Sequence, residues 1–326
     1  INVKFMSILN TLYSNFILYK LLREKHKFSP GAIVIARFHF AALIANLVGF
    51  KQVRYLVPSV FSQQIVYENQ GSISLIIRLR NKLKSLLHTT VQRMALVRSD
   101  VFVFSETMKE QCALLSGQGN VNYEIVKPGV DSERFYPVEE QERQNLKLQL
   151  DLPTDKPLIL FVGRFVKAKG VALLINALAK VDQPCHLILI GAGEELESYE
   201  KGIATQHLTA NVSIIPPLRA VENYYRCADI VVMSSSYEPL GQTILEAFAS
   251  GLPLVAFKKS NSVNTATQEL GMDDFICYAN SHSDFDLAIA INEQLNRSVT
   301  LDRTLISSKA NENFSWMELY RSLVKI

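Results

Sequence analysis

Little in this chain is paired, repeated or extreme. Its 326 residues hold four cysteines, Cys112, Cys185, Cys227 and Cys277, with no paired or metal-ligand spacing. That excludes a disulfide framework and a zinc module, and predicts reduced core thiols in a cytosolic protein. No run of about 18 apolar residues occurs, so no membrane-spanning helix is predicted. Nothing at the N-terminus has the pattern of a signal peptide. Neither charge sign dominates: 34 Lys and Arg face 31 Asp and Glu, net +3, a balance that does not require nucleic acid as a partner. There is no fixed-period repeat. The P-loop pattern G-x-x-x-x-G-K-[ST] is missing. Gly191-Ala192-Gly193 follows a strand-like run but lacks the third glycine of a dinucleotide fingerprint and an acidic residue on a second strand, so it is predicted to be a turn lining a ligand cleft.

What is present is a globular composition, 48% apolar and 20% charged, in a chain long enough for two domains. A helix over Ile8–Leu22 opens the chain. Strand-like runs follow at Gly31–Phe38, Val53–Ser59 and Asp100–Glu106, then at Asn122–Gly129. Helical patterns separate them, including a long one over 72–97. A charged stretch with three prolines, 131–157, marks a boundary. Beyond it the alternation resumes with strands at Pro157–Gly163, His186–Gly193, Asn211–Pro217, Asp229–Ser235 and Leu252–Phe257. Strands alternating with helices predict doubly wound parallel sheets.

The most informative stretch is Ser234 to Pro253. A buried strand is broken by Pro239 and Gly241, which places Glu238 in a turn. Gln242–Ala249 then reads as a helix with Ile244, Leu245 and Phe248 on one face and Glu246 in its second turn. Such a strand–turn–helix aims free N–H groups and a helix dipole at one point, which suits a phosphate. The two carboxylates suit sugar hydroxyls on either side of it. Together they describe a nucleotide-sugar. A second segment, Gly163, Arg164, Lys169 and Gly170 after a buried strand, offers a close backbone approach and two cations for phosphate oxygens.

The run EPLGQTILEAFASGLP, Glu238–Pro253, resembles the E-P-x-G-x-x-x-x-E-A-x-x-x-G-x-P signature of the retaining family 4 glycosyltransferases, the glycogen-synthase-like glycosyl transferases group 1. Phe161–Leu178, Val126–Pro137 and Asn313–Tyr320 resemble other segments of that family in order and spacing. The resemblance covers about 95–326 and is strongest over 126–253. It implies a GT-B fold, two Rossmann-like doubly wound domains facing a cleft: 1–135 on the acceptor side, a linker over 136–156, the nucleotide-sugar domain over 157–305, and a C-terminal helix, 306–326, packing back toward the first domain. No opening strand and glycine-rich turn precede residue 31, so the first domain is expected to lack its first strands.

The resemblance further implies residue roles. Glu238 holds the donor sugar near the reacting carbon, and Glu246 holds the ribose. Arg164 and Lys169 stabilise charge on the leaving diphosphate, which makes Glu238, Arg164 and Lys169 the catalytic set. Gly163, Gly191, Leu218, Leu240, Gly241 and Gln242 complete the donor site. With fixed cations on the diphosphate no metal and no cofactor is expected; the UDP- or GDP-linked sugar is a co-substrate. The acceptor is a glycan or a lipid-linked sugar, and the protein is expected in the cytoplasm or peripherally at the inner face of the membrane. Two places depart from the family. The loop Val57-Pro58-Ser59 lacks the histidine that many relatives carry near the reacting centre, which leaves His39 and Ser59 as acceptor-side candidates. Lys258–Glu269 replaces a Gly-Gly loop followed by Pro-Glu. The basic stretch 76–98 (Arg78, Arg80, Lys82, Lys84, His88, Arg93, Arg98) reads either as a solvated helix face or as a surface for an anionic membrane. The rival readings are an inactive nucleotide-sugar-binding protein and another GT-B enzyme such as an epimerase.

Overall fold

The computed structural model describes residues 3–63, 75–117 and 121–325, with side chains described for 13–63, 82–117 and 121–325. The chain divides into two units, Ile1–Val126 with Tyr320–Ile326, and Lys127–Leu319.

The first unit carries four parallel strands in the order β1 (Ile33–Ala36), β2 (Gln52–Leu56), β3 (Asp100–Val103) and β4 (Tyr123–Ile125). Helices Val3–Phe28, His39–Val48, Leu75–Arg98 and Glu106–Ser116 accompany them. The predicted opening helix is longer than the apolar pattern suggested, because the helix-forming run Leu22–Phe28 continues it until Pro30-Gly31. Two helices close on glycines in the left-handed region, Gly49 (φ 109°) and Gly117 (φ 70°), where a Cβ would be strained. Val53, Tyr55 and Val57 alternate into a core shared with Leu96, Val101 and Met108. The side chains of Arg78 and Arg80 lie outside the described residues. Of the rest of the basic stretch, Lys82, Lys84, Arg93 and Arg98 are exposed, whereas His88 is turned toward His39.

The second unit is built on six parallel strands. In chain order these are β5 (Leu158–Val162), β6 (His186–Ile190), β7 (Val212–Ile215), β8 (Ile230–Met233), β10 (Leu254–Phe257) and β12 (Ile276–Ala279); β9 (Tyr237–Glu238) and β11 (Asn264–Thr265) form a separate two-stranded ladder. The sheet order is β12-β10-β8-β5-β6-β7. Both faces are covered, so β5, β8 and β10 are apolar at every position and β6 at all but its first, His186. On β5, Leu158 and Leu160 enter one core while Ile159 and Phe161 enter the other; β8 and β10 divide their residues in the same way. All four cysteines are free and buried.

This strand order reverses direction between β5 and β8. Connections leave those two strands toward opposite faces, which opens a crevice at their carboxyl ends, where open α/β sheets bind ligands. The chain places Gly163–Gly170 after β5 and Ser234–Gly241 after β8. The Ser234–Gly241 segment departs from the predicted simple turn. Tyr237–Glu238 is a strand, pairing with Asn264–Thr265 in register Tyr237↔Asn264 and Glu238↔Thr265. Two residues are too few for any sequence period to show.

Candidate donor site at the sheet switch point

The loops after β5 and β8 are stitched together through their backbones. Ser236 N–H donates to the Ala168 carbonyl at 2.9 Å, and Ser234 Oγ donates to the Lys169 carbonyl at 2.8 Å. Gly170 makes the approach possible: its φ is 66°, and a Cβ there would lie 2.1 Å from the Ser234 carbonyl oxygen. The consequence is an ion pair across the switch point, Lys169 Nζ to Glu238 Oε2 at 2.5 Å. Glu238 is 5% exposed. Ser235 Oγ also donates to Glu238 Oε2, at 3.3 Å. The β11 ladder fixes the main chain of Glu238, whose carbonyl accepts from Ala266 N–H at 3.1 Å. The segment 258–269, read from sequence only as a departure, thus supplies the strand that holds the buried carboxylate in place.

The loops after β5 and β6 meet in a similar way. Gly163 N–H donates to the Ile190 carbonyl and Phe165 N–H to the Ala192 carbonyl. A Cβ on Gly191 would lie 1.9 Å from the Gly163 carbonyl oxygen, so this turn admits only glycine. Beside it lies a cavity of about 330 Å³, lined by Gly163 and Arg164 after β5, Gly191 and Ala192 after β6, and Pro217, Leu218 and Val221 after β7. That volume sits at the small end of the roughly 300–1,000 Å³ usual for small-molecule sites. Four predicted donor residues, Gly163, Arg164, Gly191 and Leu218, therefore share one cavity wall system.

Helix Gln242–Ala249 starts at Gly241 with no side-chain cap, and a Cβ on Gly241 would meet Ile244 Cδ1 at 2.5 Å. Leu240 is half-buried against the core on that side. Gln242 turns its amide to the Gly129 carbonyl at 3.3 Å. Glu246, one turn on, accepts from the hydroxyl of Tyr225 at 3.0 Å. Burial pushes the Glu246 carboxyl up to about 6; the Tyr225 hydrogen bond and the Arg134 charge oppose that rise, and Glu222 adds to it. Glu246 is a half-buried, perturbed group rather than an ordinary helix-surface carboxylate, as suits a functional position. Tyr225 and Arg134 were not found from sequence. Tyr225 lies in a short polar-and-aromatic segment without a motif; Arg134 lies in the family-like segment Val126–Pro137 but received no role there, and both reach Glu246 only through the fold.

The acceptor-side candidates lie in the first unit. His39 is 6% exposed, and its Nε2 is 2.9 Å from Nδ1 of His88. Burial, then the neighbouring His88, push the His39 imidazole down to about 4. The Ser59 carbonyl accepts from Gln92 Nε2 at 2.8 Å. His88 and Gln92 are one helical turn apart, so helix Leu75–Arg98 gathers His39 and Ser59 on one of its faces. An Asp-x-Asp tripeptide, Asp284-Phe285-Asp286, opens helix Asp284–Ser298 behind the Ser283 cap, where Asp284 pairs with Lys180 at 2.8 Å. It serves a helix start, in the connection that follows β12.

A doubly wound α/β unit with a buried carboxylate–lysine pair at its switch point and a cavity beside it has the layout in which open parallel sheets hold small ligands. Residues 142–305 match the model of the glycosyl transferases group 1, and the chain belongs to that family. The lipopolysaccharide core biosynthesis glycosyltransferase LpsE of Rhizobium meliloti is 36% identical over 110 residues, 34% of this chain and 32% of that protein. Sucrose-phosphate synthase from Thermosynechococcus elongatus superposes with a TM-score of 0.74 at 22% identity, covering 94% of this chain and 77% of that one. HepE from Anabaena in complex with UDP-glucose gives 0.74 at 18% identity, covering 94% and 80%. The fold is that of the GT-B glycosyltransferases. The chain spans about a third to a half of the length of the curated relatives it matches.

Proposed function

We propose that this chain is the donor-binding and acceptor-side machinery of a retaining, metal-independent hexosyltransferase that takes its sugar from a nucleoside diphosphate, UDP before GDP, and passes it to a glycan or lipid-linked acceptor. One observation carries the reading: the Lys169–Glu238 pair stands at the switch point, with Arg164 on the wall of the adjoining cavity. In this reading the cavity takes the base, Glu246 the ribose, and Arg164 and Lys169 the diphosphate. Glu238 takes the sugar hydroxyls next to the carbon that reacts. Two fixed cations offset the charge that builds on the leaving diphosphate, which is the task a divalent ion would otherwise perform. No nucleophile stands opposite Glu238 in sequence. Same-face attack, with the leaving phosphate taking the acceptor proton, accounts for retention. HepE, solved with UDP-glucose on the same fold, favours uracil as the base.

Calorimetric titration with UDP, GDP and ADP in EDTA tests this. Tight binding of one nucleotide is expected, weakened at least 100-fold, about 3 kcal/mol, in the Arg164→Ala/Lys169→Ala protein. Unchanged affinity in that protein removes both residues from the site. The same titration between pH 5 and 8 reads Glu246. Only the ionised carboxylate accepts from both ribose hydroxyls, so affinity is full above about 6 and falls as pH drops through that value. In Glu246→Gln only the ligand's own phosphate titration should remain.

A second feature supports work at a membrane surface. Helix Leu75–Arg98 exposes Leu83, Leu86 and Leu87 beside Lys82 and Lys84. Helix Val3–Phe28 exposes Tyr13, Phe16, Leu21 and Phe28 beside Lys20, Arg23, Lys25 and Lys27. Both pack against the helix His39–Val48, whose Leu47 is 67% exposed. Apolar side chains set among cations suit the anionic inner face of a bilayer. Among the described residues no helix is long and apolar enough to cross one. Cosedimentation with phosphatidylglycerol but not phosphatidylcholine vesicles is expected, and its persistence in Lys82→Glu/Lys84→Glu would remove this helix from the contact.

A further inference from the structure

One wall of the cavity has no strand to hold it. Pro217, Leu218 and Val221 sit in the loop between β7 and the helix Glu222–Cys227, outside every sheet pairing. That wall is fixed instead by Arg134, from the segment after Gly129. Its Nη2 donates to the Arg219 carbonyl, in the middle of the loop. Its Nε donates to Glu222 Oε2 at 2.9 Å, and Nη2 lies 2.8 Å from the same oxygen. The return contact is equally specific. Arg226 donates to the Arg134 carbonyl at 3.0 Å and covers the Tyr136 ring at 4.2 Å. The two segments therefore hold each other through reciprocal arginines.

The same clamp leads to Glu246. The Arg134 guanidinium lies over the Phe135 ring at 5.1 Å, and Phe135 meets Tyr225 edge-on at 5.4 Å. Tyr225 is the residue whose hydroxyl donates to Glu246. The Arg134 charge also reaches Glu246 and favours its ionised form. A planar fork that binds a carbonyl and a carboxylate at once, while stacking on a ring, is geometry a lysine does not reproduce.

Resting on the donor-site reading above, we propose that Arg134 is the positioning residue for the nucleoside half of the donor: it sets the width of the base pocket through Arg219 and Glu222, and holds Tyr225 and Glu246 in place for the ribose. It touches neither the diphosphate nor the sugar. Two properties follow that a purely structural arginine would not show. Its loss should weaken nucleosides and not phosphates. It should also blur the choice between bases, because the wall that measures base size is then free to move.

The test titrates the full chain and its variants with UDP, GDP and inorganic pyrophosphate. Arg134→Met is expected to bind the preferred nucleotide at least ten-fold more weakly and to lose most of the discrimination between UDP and GDP. Pyrophosphate affinity should stay within two-fold. In steady-state transfer the donor KM should rise by more than kcat falls, and Arg134→Lys should recover only part of the loss. Parallel weakening of pyrophosphate overturns the proposal, as does nucleotide affinity within two-fold of the unaltered protein. Should Arg134→Met fail to fold, Glu222→Gln carries the test, because it loosens the clamp and keeps the cation: a smaller loss of the same pattern supports the proposal, and unchanged binding overturns it. If the unaltered protein binds neither nucleotide, the donor-site reading falls with it. If the unaltered protein binds and both variants bind equally well, only the role of Arg134 falls.

Discussion

Replacing Glu238 with Gln is expected to cut sugar transfer by about a thousand-fold, roughly 4 kcal/mol of barrier, while nucleotide affinity holds or rises. The two effects have opposite signs because of the ion pair. Glu238 holds Lys169 at 2.5 Å in a position 5% exposed. A glutamine keeps the size and the contact with Ser235 but cannot hold the ammonium by charge. Lys169 is then available to a diphosphate without first giving up a carboxylate. In the proposed reaction the sugar, in contrast, loses the anion that stabilises positive charge developing at its reacting carbon. Initial rates with saturating donor give the first quantity, and calorimetry with the free nucleotide gives the second. Transfer within ten-fold of the unaltered enzyme would exclude Glu238 from the chemistry. Weaker nucleotide binding would mean that the pair is part of the diphosphate site and not a competitor for it.

The second large effect is expected at Arg303, which forms no part of the site. Its side chain reaches inward from helix Arg303–Asn313 and donates to four carbonyls: Ala228 and Ser250 at 3.3 Å, Arg226 at 3.3 Å and Tyr225 at 3.4 Å. These close the C-terminal ends of the helices bearing Tyr225 and Glu246, where oriented carbonyls favour a cation. Burial, and then the nearby Arg143, bring the Arg303 guanidinium down to about 10, still fully charged near neutrality. Arg303→Ala removes a donor from four inward carbonyls, of which, among the described residues, Ala228 alone keeps another, Arg143 at 3.4 Å, and should cost about 3–5 kcal/mol. For a unit of this size that corresponds to a fall in Tm of about 10 °C. Arg303→Lys should recover little, since one ammonium cannot span four acceptors. A loss below about 1 kcal/mol, measured by denaturant unfolding, would show that water or a neighbouring arginine satisfies these groups instead.

The sequence reached the donor site further than the rest, for a physical reason. A phosphate-binding strand–turn–helix depends on local properties, a backbone free of Cβ atoms and a charge at a fixed offset, and both are written in consecutive residues. In the proposed donor site, Glu238, Gly241 and Glu246 carry one such segment; Gly163, Arg164, Lys169 and Gly170 carry the other. The apolar runs of β5, β6, β8 and β10 were equally legible, because strands buried on both faces are apolar almost throughout; the exception, His186 at the start of β6, is hydrogen-bonded to Ser213. The helices His39–Val48 and Glu106–Ser116 end at Gly49 and Gly117, glycines being the residues that take the left-handed conformation these ends adopt.

Other features depend on which distant segments meet, and no local pattern encodes that. The reversal of strand order between β5 and β8 brings two segments nearly seventy positions apart into one site, and it turned two separately predicted residues into the Lys169–Glu238 pair. The strand Asn264–Thr265 exists only because Tyr237–Glu238 lies beside it; two residues without a partner have no reason to be extended. The roles of Tyr225, Arg134 and Arg303 could not be read from consecutive residues, since they come from carbonyls, carboxylates and rings that other elements present to them. The His39–His88 contact likewise needs β1's loop and a long helix to converge, and their spacing of 49 positions says nothing of it. By itself the sequence determined the elements, their apolar faces and the chemistry of two loops. The tertiary structure decided how those loops were joined, which carboxylates were buried, and which cations they were given. Burial and pairing are properties of a neighbourhood, and a neighbourhood exists only once the chain has folded.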